Sequence, residues 1–223
     1  MSETRIGIIL LAAGASVRMG TPKQLIPIAG VPLIRRAALA AVGSGYHPVV
    51  VVLGANAQSV RIELEGMEVY VAVNPEWSLG MASSIRCGLE KVLDLAPDTE
   101  GVVLMLADQP GVTSECLKRL IAGHDHSGLV AARYNHMVGP PALFPREYFR
   151  ELSQLQGQSG ARPLIDRQGE DVVAVDMPEA ARDLDTPEDL ADFQCSHAER
   201  ASHPDTTPPS NHNQGRNPYA AEN

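Results

Sequence analysis

Short apolar runs alternate with segments of helical periodicity along most of the chain. The apolar runs, rich in β-branched residues, predict strands at 6–11, 49–53, 69–73, 102–106, 129–132 and 172–175. Between them, apolar residues recur every three or four positions and predict helices at 33–42, 58–64, 83–93, 115–121, 146–152 and 187–193. In these runs both the odd and the even positions are apolar, which is typical of strands covered on both faces. The alternation therefore predicts an α/β fold with a mostly parallel sheet and helices on both sides.

The segment 196–223 lacks this pattern. It is rich in proline, asparagine and histidine, and it contains no Leu, Ile, Val, Met or Phe. Such a segment buries too little apolar surface to offset the entropy lost on ordering. We therefore expect one domain over residues 1–195, followed by a disordered polar tail over 196–223.

Composition and charge narrow the classes of partner. The chain has 223 residues, and no apolar run approaches the roughly 20 residues needed to span a bilayer. The first residues lack the layout of a signal peptide, so we expect a cytoplasmic protein that does not bind membranes. A net charge of −9 argues against nucleic-acid binding, which needs a basic face. An anionic ligand must therefore be held by local cations and backbone donors.

The loop after the first predicted strand carries the strongest chemical signal. It contains Gly14, Ser16 and Gly20 together with two cations, Arg18 and Lys23. Glycines let the backbone approach a ligand closely, and exposed N–H groups beside cations bind anions. In a parallel sheet such a loop lies at the carboxyl end of its strand, where ligands bind. The spacing fits neither G-x-x-x-x-G-K-[ST] nor G-x-G-x-x-G. We interpret it as a different kind of triphosphate site.

A single carboxylate follows another apolar run, Val102 to Leu106. Asp108 comes next to the end of this predicted strand, just before Pro110. A carboxylate there can hold Mg²⁺ that bridges triphosphate oxygens. The alternative is a cap for the following helix, but Thr113 and Ser114 are better placed for that role.

A third segment joins a glycine to a helix with two hydroxyls in its first turn. Gly80 precedes this helix, which carries Ser83 and Ser84. A helix N-terminus offers free N–H groups to a polar ligand edge, but the serines could equally be caps. Trp77 could line the pocket or pack in the core.

The order L-A-A-G-x-S-x-R-M-G-x-x-K over residues 11–23 resembles the signature of the MobA-like NTP transferase family, in particular the molybdenum cofactor cytidylyltransferases. The similarity runs from about Arg5 to Phe193. It implies a three-layer α/β/α sandwich, Rossmann-like and of the nucleotide-diphospho-sugar transferase type. It also implies transfer of a nucleoside monophosphate from CTP or another NTP to a phosphorylated acceptor such as molybdopterin cofactor, with release of pyrophosphate. Ala13 favours the cytidylyl branch.

The resemblance also assigns roles to residues. It implies catalytic roles for Arg18, Lys23 and Asp108, and a Mg²⁺ site at Asp108. In the closing D-x-D-T-P-E-D-L element, Asp185 is the candidate second metal ligand and Asp183 the other candidate. Nucleotide-binding positions by resemblance are Leu11, Ala12, Ala13, Gly14, Ser16, Lys23, Ser83, Ser84 and Gly88.

Two further stretches, 139–144 and 156–162, resemble acceptor-side elements of the same family. By this resemblance Gly139, Pro141 and Arg162 bind the acceptor, and Arg162 can hold a phosphate bidentately. Pro140 replaces the common His and Gln158 the common Asp. These departures leave the acceptor open between molybdopterin and a sugar or alcohol phosphate. A molybdoenzyme is a further partner that the resemblance suggests.

Two functions from other classes remain open. One is a chaperone that carries molybdopterin without turnover. Such a carrier needs no metal-binding carboxylate, so Asp108, together with Lys23 and Arg18, argues against this function. A nicotinamide-dependent oxidoreductase would carry the dinucleotide fingerprint, which the first loop lacks.

Overall fold

The central feature is a seven-stranded, mostly parallel sheet. The structure, a computed structural model, describes residues 5–124 and 128–202, with side chains as far as residue 194. Its strands are β1 (Ile6–Ala12), β2 (Pro27–Ile28), β3 (Val31–Pro32), β4 (Val49–Leu53), β5 (Tyr70–Val73), β6 (Gly101–Leu106), β7 (Val130–Tyr134), β8 (Met137–Pro145) and β9 (Val173–Asp176). The sheet order is β5-β4-β1-β6-β8-β7-β9, and β2 and β3 form a separate small hairpin.

Helices cover both faces of this sheet. They are α1 (Leu33–Gly43), α2 (Ala57–Ile62), α3 (Met81–Leu95), α4 (Ser114–Ala122), α5 (Phe149–Gln154), α6 (Arg162–Gln168) and α7 (Pro187–Ser202). Alternate residues of β1 point to opposite sides, as the period of a strand requires. Ile8 and Leu10 join a core with α1, α2 and α4, whereas Ile9 and Leu11 join a second core with α3, α5 and α6. The predicted three-layer sandwich is therefore confirmed. Among the helices described, none is both long and apolar enough to cross a lipid bilayer.

One strand runs against the rest. β8 pairs antiparallel with both β6 and β7, whereas the other pairs in the large sheet are parallel. The sequence did not predict β8, because Gly139, Pro140 and Pro141 interrupt its apolar pattern and are typical of loops. The strand accommodates them where its register against β7 shifts, between Ala131 and Ala132.

The last helix closes the fold over the small hairpin. Phe193 of α7 and the preceding Leu184 pack with Ile28 and Leu33, all four nearly inaccessible to solvent. The backbone of α7 continues to Ser202, seven positions into the segment predicted to be a disordered tail. Residues 203–223 lie outside the described part of the chain, so a disordered tail there stays a prediction.

Candidate active site

The site begins with a loop that buried side chains hold in shape. Ser16 has the left-handed φ of 57° and Gly20 a φ of 70°, so the chain turns sharply after β1. Gln24, 2% exposed, donates from Nε2 to the carbonyls of Ala12 (3.0 Å) and Gly14 (2.8 Å). The Ser16 hydroxyl donates to Gln24 Oε1 at 3.3 Å and accepts from the Lys23 amide at 3.0 Å. This network fixes the loop with Lys23 beside the end of β1.

Four charged side chains meet where the carboxyl ends of β1 and β6 lie side by side. Lys23 Nζ donates to Asp108 Oδ2 at 2.5 Å and to Asp185 Oδ1 at 2.7 Å. Arg18 Nη2 donates to the other oxygen of Asp185, Oδ2, at 2.8 Å. Two positive and two negative charges therefore form one cluster from three separate parts of the sequence.

The cluster shifts the pKa values of two of its members and of the neighbouring Asp183. Burial disfavours the charge on Lys23, but the carboxylates of Asp108 and Asp185 outweigh it and raise the pKa of the ammonium above its usual value. Burial also opposes the charge on Asp185, but Lys23 and then Arg18 hold the pKa of that carboxyl below its usual value. Desolvation, and then the negative charge of Asp108, raise the pKa of Asp183 to about 6.

The carboxylates fit a hard divalent cation that also binds phosphate oxygens. Asp108 Oδ1 is buried and has no hydrogen-bond partner in the structure. Over the ranges described, no group of three or more His, Cys, Asp or Glu side chains could hold a metal ion. Mg²⁺ is commonly bound through one or two carboxylates with substrate phosphates and water completing its shell. Asp108 and Asp185 therefore suit a metal that arrives with a triphosphate, not a closed protein cage.

A cleft of about 500 Å³ opens over this cluster. Most of the residues predicted to bind nucleotide or to act in catalysis line it: Leu11, Ala12, Ala13, Gly14, Arg18, Lys23, Ser84, Asp108 and Asp185. Trp77, Gly80, Gln24 and Gln158 also line it. Gly80 has a φ of +111°, and a Cβ there would lie 2.5 Å from the Gly157 carbonyl oxygen. Glycine at 80 therefore lets α3 start directly against the loop that carries Gln158.

Three predicted nucleotide-binding residues lie outside the lining of the cleft. The Ser16 hydroxyl is engaged in shaping the loop. Ser83 is buried and donates to the Glu76 or Gly80 carbonyl, and its Oγ accepts from Asn74 at 2.8 Å. Gly88 packs α3 onto the sheet, because a Cβ there would lie 2.5 Å from Ile9 Cγ2. These three residues therefore hold the surrounding loop and helix in place by hydrogen bonds and by packing.

Hydrogen bonds show which side chains cap α4 and α7. Thr113 Oγ1 accepts from the Cys116 amide and caps α4, so Asp108 is left to face the cleft. Asp189 Oδ2 accepts from the Thr186 amide at 2.8 Å and caps α7, which leaves Asp185 to bind Lys23 and Arg18.

A second, smaller cavity of about 180 Å³ adjoins the cleft, with which it shares Leu11, Met81 and Leu106. Of the predicted acceptor residues, Gly139 and Arg162 line it, whereas Pro141 is buried in β8 outside the lining. The other lining side chains are mostly apolar: Ile85, Leu104, Met137, Val138, Pro140, Ala142, Phe144, Ala161 and Ile165, with Tyr134 and Ser159 as polar members.

Sequence reasoning missed two glutamines that connect these features. Gln24 follows Lys23 and shapes the first loop, as described above. Gln109, 3% exposed, donates from Nε2 to the carbonyls of Ala180 (3.1 Å) and Pro140 (3.3 Å) and lies 3.5 Å from Tyr134 Oη. Gln109, which follows Asp108 in the chain, therefore connects the end of β6 to the wall of the small cavity. Glutamines in loops are ordinarily exposed. The sequence signal that could have identified these two is their position, since each directly follows a predicted site residue, Lys23 or Asp108.

The sequence and the fold both match known proteins. Residues 8–172 match the profile of the MobA-like NTP transferase domain. The chain is 40% identical over 139 residues to nicotine blue oxidoreductase of Paenarthrobacter nicotinovorans. This alignment covers 60% of this chain and 65% of that protein. It is 32% identical over 196 residues to molybdenum cofactor guanylyltransferase of Rhodobacter capsulatus. That alignment covers 84% of this chain and 94% of the guanylyltransferase. It spans about a quarter of the bifunctional GlmU proteins that it matches, 26% in Syntrophotalea carbinolica.

Solved structures share this architecture. A homologue of Mycobacterium tuberculosis Rv0371c from Mycobacterium sp. strain JC1 superposes with a TM-score of 0.75 at 32% identity, covering 88% of this chain and 98% of that one. Rv0371C of M. tuberculosis in complex with manganese gives a TM-score of 0.69 at 32% identity, covering 86% and 100%.

Proposed function

The chain belongs to the MobA-like NTP transferase family, and from this premise we propose that it transfers a nucleoside monophosphate from an NTP to a phosphorylated acceptor. The observation that supports this best is the contact of Lys23 with both Asp108 and Asp185 beneath the glycine loop. One cleft thus holds cations, carboxylates of the kind that bind metal ions, and exposed loop backbone. Phosphoryl chemistry requires these groups.

The proposed reaction is an in-line displacement at the α-phosphorus. An oxygen of the acceptor phosphate forms the new bond, the bond to the β-phosphate oxygen breaks, and pyrophosphate leaves with that electron pair. Lys23 and Arg18 would neutralise the charge that develops on the phosphate oxygens. Asp108 and Asp185 would hold Mg²⁺, which when bound supplies Lewis-acid stabilisation of those oxygens. Because a phosphate nucleophile is already ionised at neutral pH, the step needs no general base.

The metal assignment has support outside this chain. Rv0371C, 32% identical, has been solved with manganese, an ion of the same charge and ligand preference as Mg²⁺. A direct test is the loss of pyrophosphate release when a chelator removes divalent ions, with recovery on adding Mg²⁺ or Mn²⁺.

For the acceptor we infer a flat ring system that carries a phosphate, in keeping with molybdopterin. The small cavity is lined almost entirely by apolar residues, and its polar members are Tyr134, Ser159 and Arg162. The apolar faces of a flat ring would pack against this lining with its polar groups at the edge, whereas the hydroxyls that surround a sugar ring would meet it without partners. Arg162, which lines this cavity, would hold an anionic substituent at the edge of such a ring.

For the donor we infer CTP. Ala13 lines the cleft, but it is 7% exposed and its methyl group packs toward Gly54. The support for a pyrimidine is therefore the resemblance of the first loop to the cytidylyltransferases, with alanine at this position. The R. capsulatus relative is named a guanylyltransferase, so GTP is the competing donor.

The decisive experiment incubates the protein with purified molybdopterin cofactor, Mg²⁺ and either CTP or GTP. Product is identified by mass, and pyrophosphate is measured in parallel. We expect a cytidylylated product and one pyrophosphate for each product formed. Nucleotide binding without pyrophosphate release would instead indicate a carrier, and product from a sugar phosphate alone would overturn the acceptor assignment. A cytoplasmic location and a molybdoenzyme partner stay predictions.

A second candidate function is oxidoreduction, which the 40% identity to nicotine blue oxidoreductase favours. The match spans 65% of that protein, and the apolar cavity would also accept a planar organic substrate. The assay is consumption of NADH or NADPH in the presence of a planar dye. Cofactor oxidation that needs the dye, with no pyrophosphate released from any NTP, would replace the transferase assignment.

A further inference from the structure

Lys23 occupies one oxygen of each carboxylate that the proposed metal would use. Its ammonium contacts one oxygen of Asp108 at 2.5 Å and one of Asp185 at 2.7 Å. The side chains of Lys23 and Asp108 are each 17% exposed, so this contact is largely shielded from water. An ion pair in such a position is screened far less than a surface pair.

The four paired side chains are electrically balanced before any ligand binds, and the carboxyl of Asp183 is a further neighbour of this cluster. Lys23 and Arg18 carry two positive charges, and Asp108 and Asp185 carry two negative ones. A divalent cation that entered alone would compete with Lys23 for the same carboxylates and add two charges beside two fixed cations. Entry of a triphosphate reverses this situation, because its charge gives Lys23 and Arg18 new partners in the cleft that both line.

We propose that Lys23 is an internal counter-cation that keeps Asp108 and Asp185 closed to free metal until a triphosphate draws it away, so that nucleotide and metal bind with positive coupling. This rests on the proposed function only in taking a triphosphate as the ligand of the cleft. By linkage, metal must strengthen nucleotide binding by the same factor as nucleotide strengthens metal binding.

Lys23 is the member of the cluster suited to this role. It bridges both carboxylates, whereas Arg18 contacts Asp185 alone and its side chain is 71% exposed. The Lys23 backbone is also fixed, because its amide donates to the Ser16 hydroxyl. The ammonium can therefore exchange a carboxylate for a phosphate by side-chain rotation, with no change in the loop.

The test measures binding of Mn²⁺ alone, by the spin-resonance signal of the free ion, and again with α,β-methylene-CTP. For the wild type we expect weak Mn²⁺ binding that tightens at least tenfold with the analogue. Lys23→Met should bind Mn²⁺ alone at least tenfold more tightly than the wild type and lose most of the coupling. Lys23→Arg keeps a cation and should behave like the wild type. Lys118→Met makes the same charge change on the surface and should also leave Mn²⁺ binding unchanged.

Two outcomes would overturn the proposal: equal Mn²⁺ affinity of the wild type and Lys23→Met without nucleotide, or tighter binding in Lys118→Met to the same degree. Adding Asp108→Asn to Lys23→Met should abolish the gain, which locates the ion at these carboxylates. Circular dichroism of each variant checks that it is folded. The measurement needs neither acceptor nor turnover, so its failure leaves nucleotidyl transfer standing, and an inactive transferase would leave the Mn²⁺ comparison valid.

Discussion

The backbone amide of Leu184 donates a hydrogen bond of 2.9 Å to the backbone carbonyl of Asp108. This bond joins a segment near the end of the fold to the end of β6, and it places Asp185 where Lys23 can bridge the two carboxylates. The candidate site is therefore assembled by backbone pairing as well as by charge.

Removing the charge of Asp108 should abolish transfer with little effect on the fold. Asp108→Asn keeps the shape of the side chain but removes the charge that faces Lys23 and the proposed metal. We expect pyrophosphate release to fall about 100-fold or more, as when a key electrostatic group is lost. Asp176→Asn, at an exposed position paired with Arg133, is the matched control and should retain full activity. Normal turnover by Asp108→Asn would remove this carboxylate from the mechanism.

Lys23→Ala should slow turnover at saturating substrate by at least tenfold, about 1.4 kcal/mol of barrier, because the developing phosphate charge loses a fixed cation. Steady-state kinetics with CTP measure this directly. Lys118→Ala removes an exposed lysine paired with Glu115 and should leave kcat unchanged. An unaltered kcat in Lys23→Ala would confine the lysine to a structural role.

Gln24→Leu should weaken the loop that follows β1. The substitution leaves the Ala12 and Gly14 carbonyls without their side-chain donor, at about 1–3 kcal/mol of unfolding free energy for a buried group left unpaired. We also expect a higher KM for the nucleotide, since the loop backbone loses its fixed position. Urea denaturation and initial rates test the two effects. A variant as stable as the wild type with the same KM would contradict the role assigned to Gln24.

Ala13→Gly should shift donor preference toward GTP. Ala13 lines the cleft and its methyl group packs toward Gly54, so removing it would alter the fit of the loop that forms the cleft wall. A difference of one methyl group in a site changes selectivity by about tenfold or more. The measurement is the ratio of kcat/KM for GTP to that for CTP in both proteins. A ratio that stays the same would show that base selection lies elsewhere.

Stability should depend on pH through Asp189. The Thr186 hydroxyl and amide hold the pKa of this carboxyl below its usual value, so the folded state favours the charged form. Its contribution is present above about pH 4, the usual pKa of an aspartate, and is lost as pH falls through the lower folded value. Asp189→Ala removes the acceptor of the Thr186 amide and hydroxyl and should cost about 1 kcal/mol at pH 7, as loss of a cap does. Urea denaturation across pH should show this difference narrowing in acid; a constant gap would contradict the linkage.

The sequence by itself determined the layers and most of the elements, because strand and helix periods are local properties that each segment records in its own pattern. It also singled out Arg18, Lys23 and Asp108 in loops that follow predicted strands, where ligands bind, whereas Asp185 came from the resemblance, with Asp183 as the alternative. It could not predict β8, whose glycine and prolines are tolerated only because its neighbours pair around them.

Only the tertiary structure decided how these residues meet. The Lys23 bridge joins side chains 85 and 162 positions apart, and its geometry depends on the parallel pairing of β1 with β6 and on the Leu184 bond. It likewise separated Ser84, which lines the cleft, from Ser83 and Gly88, which lie outside its lining, although Asn74 donates to both serines. Neighbouring residues of a helix point in different directions, and which direction meets a ligand is fixed by the elements packed against it.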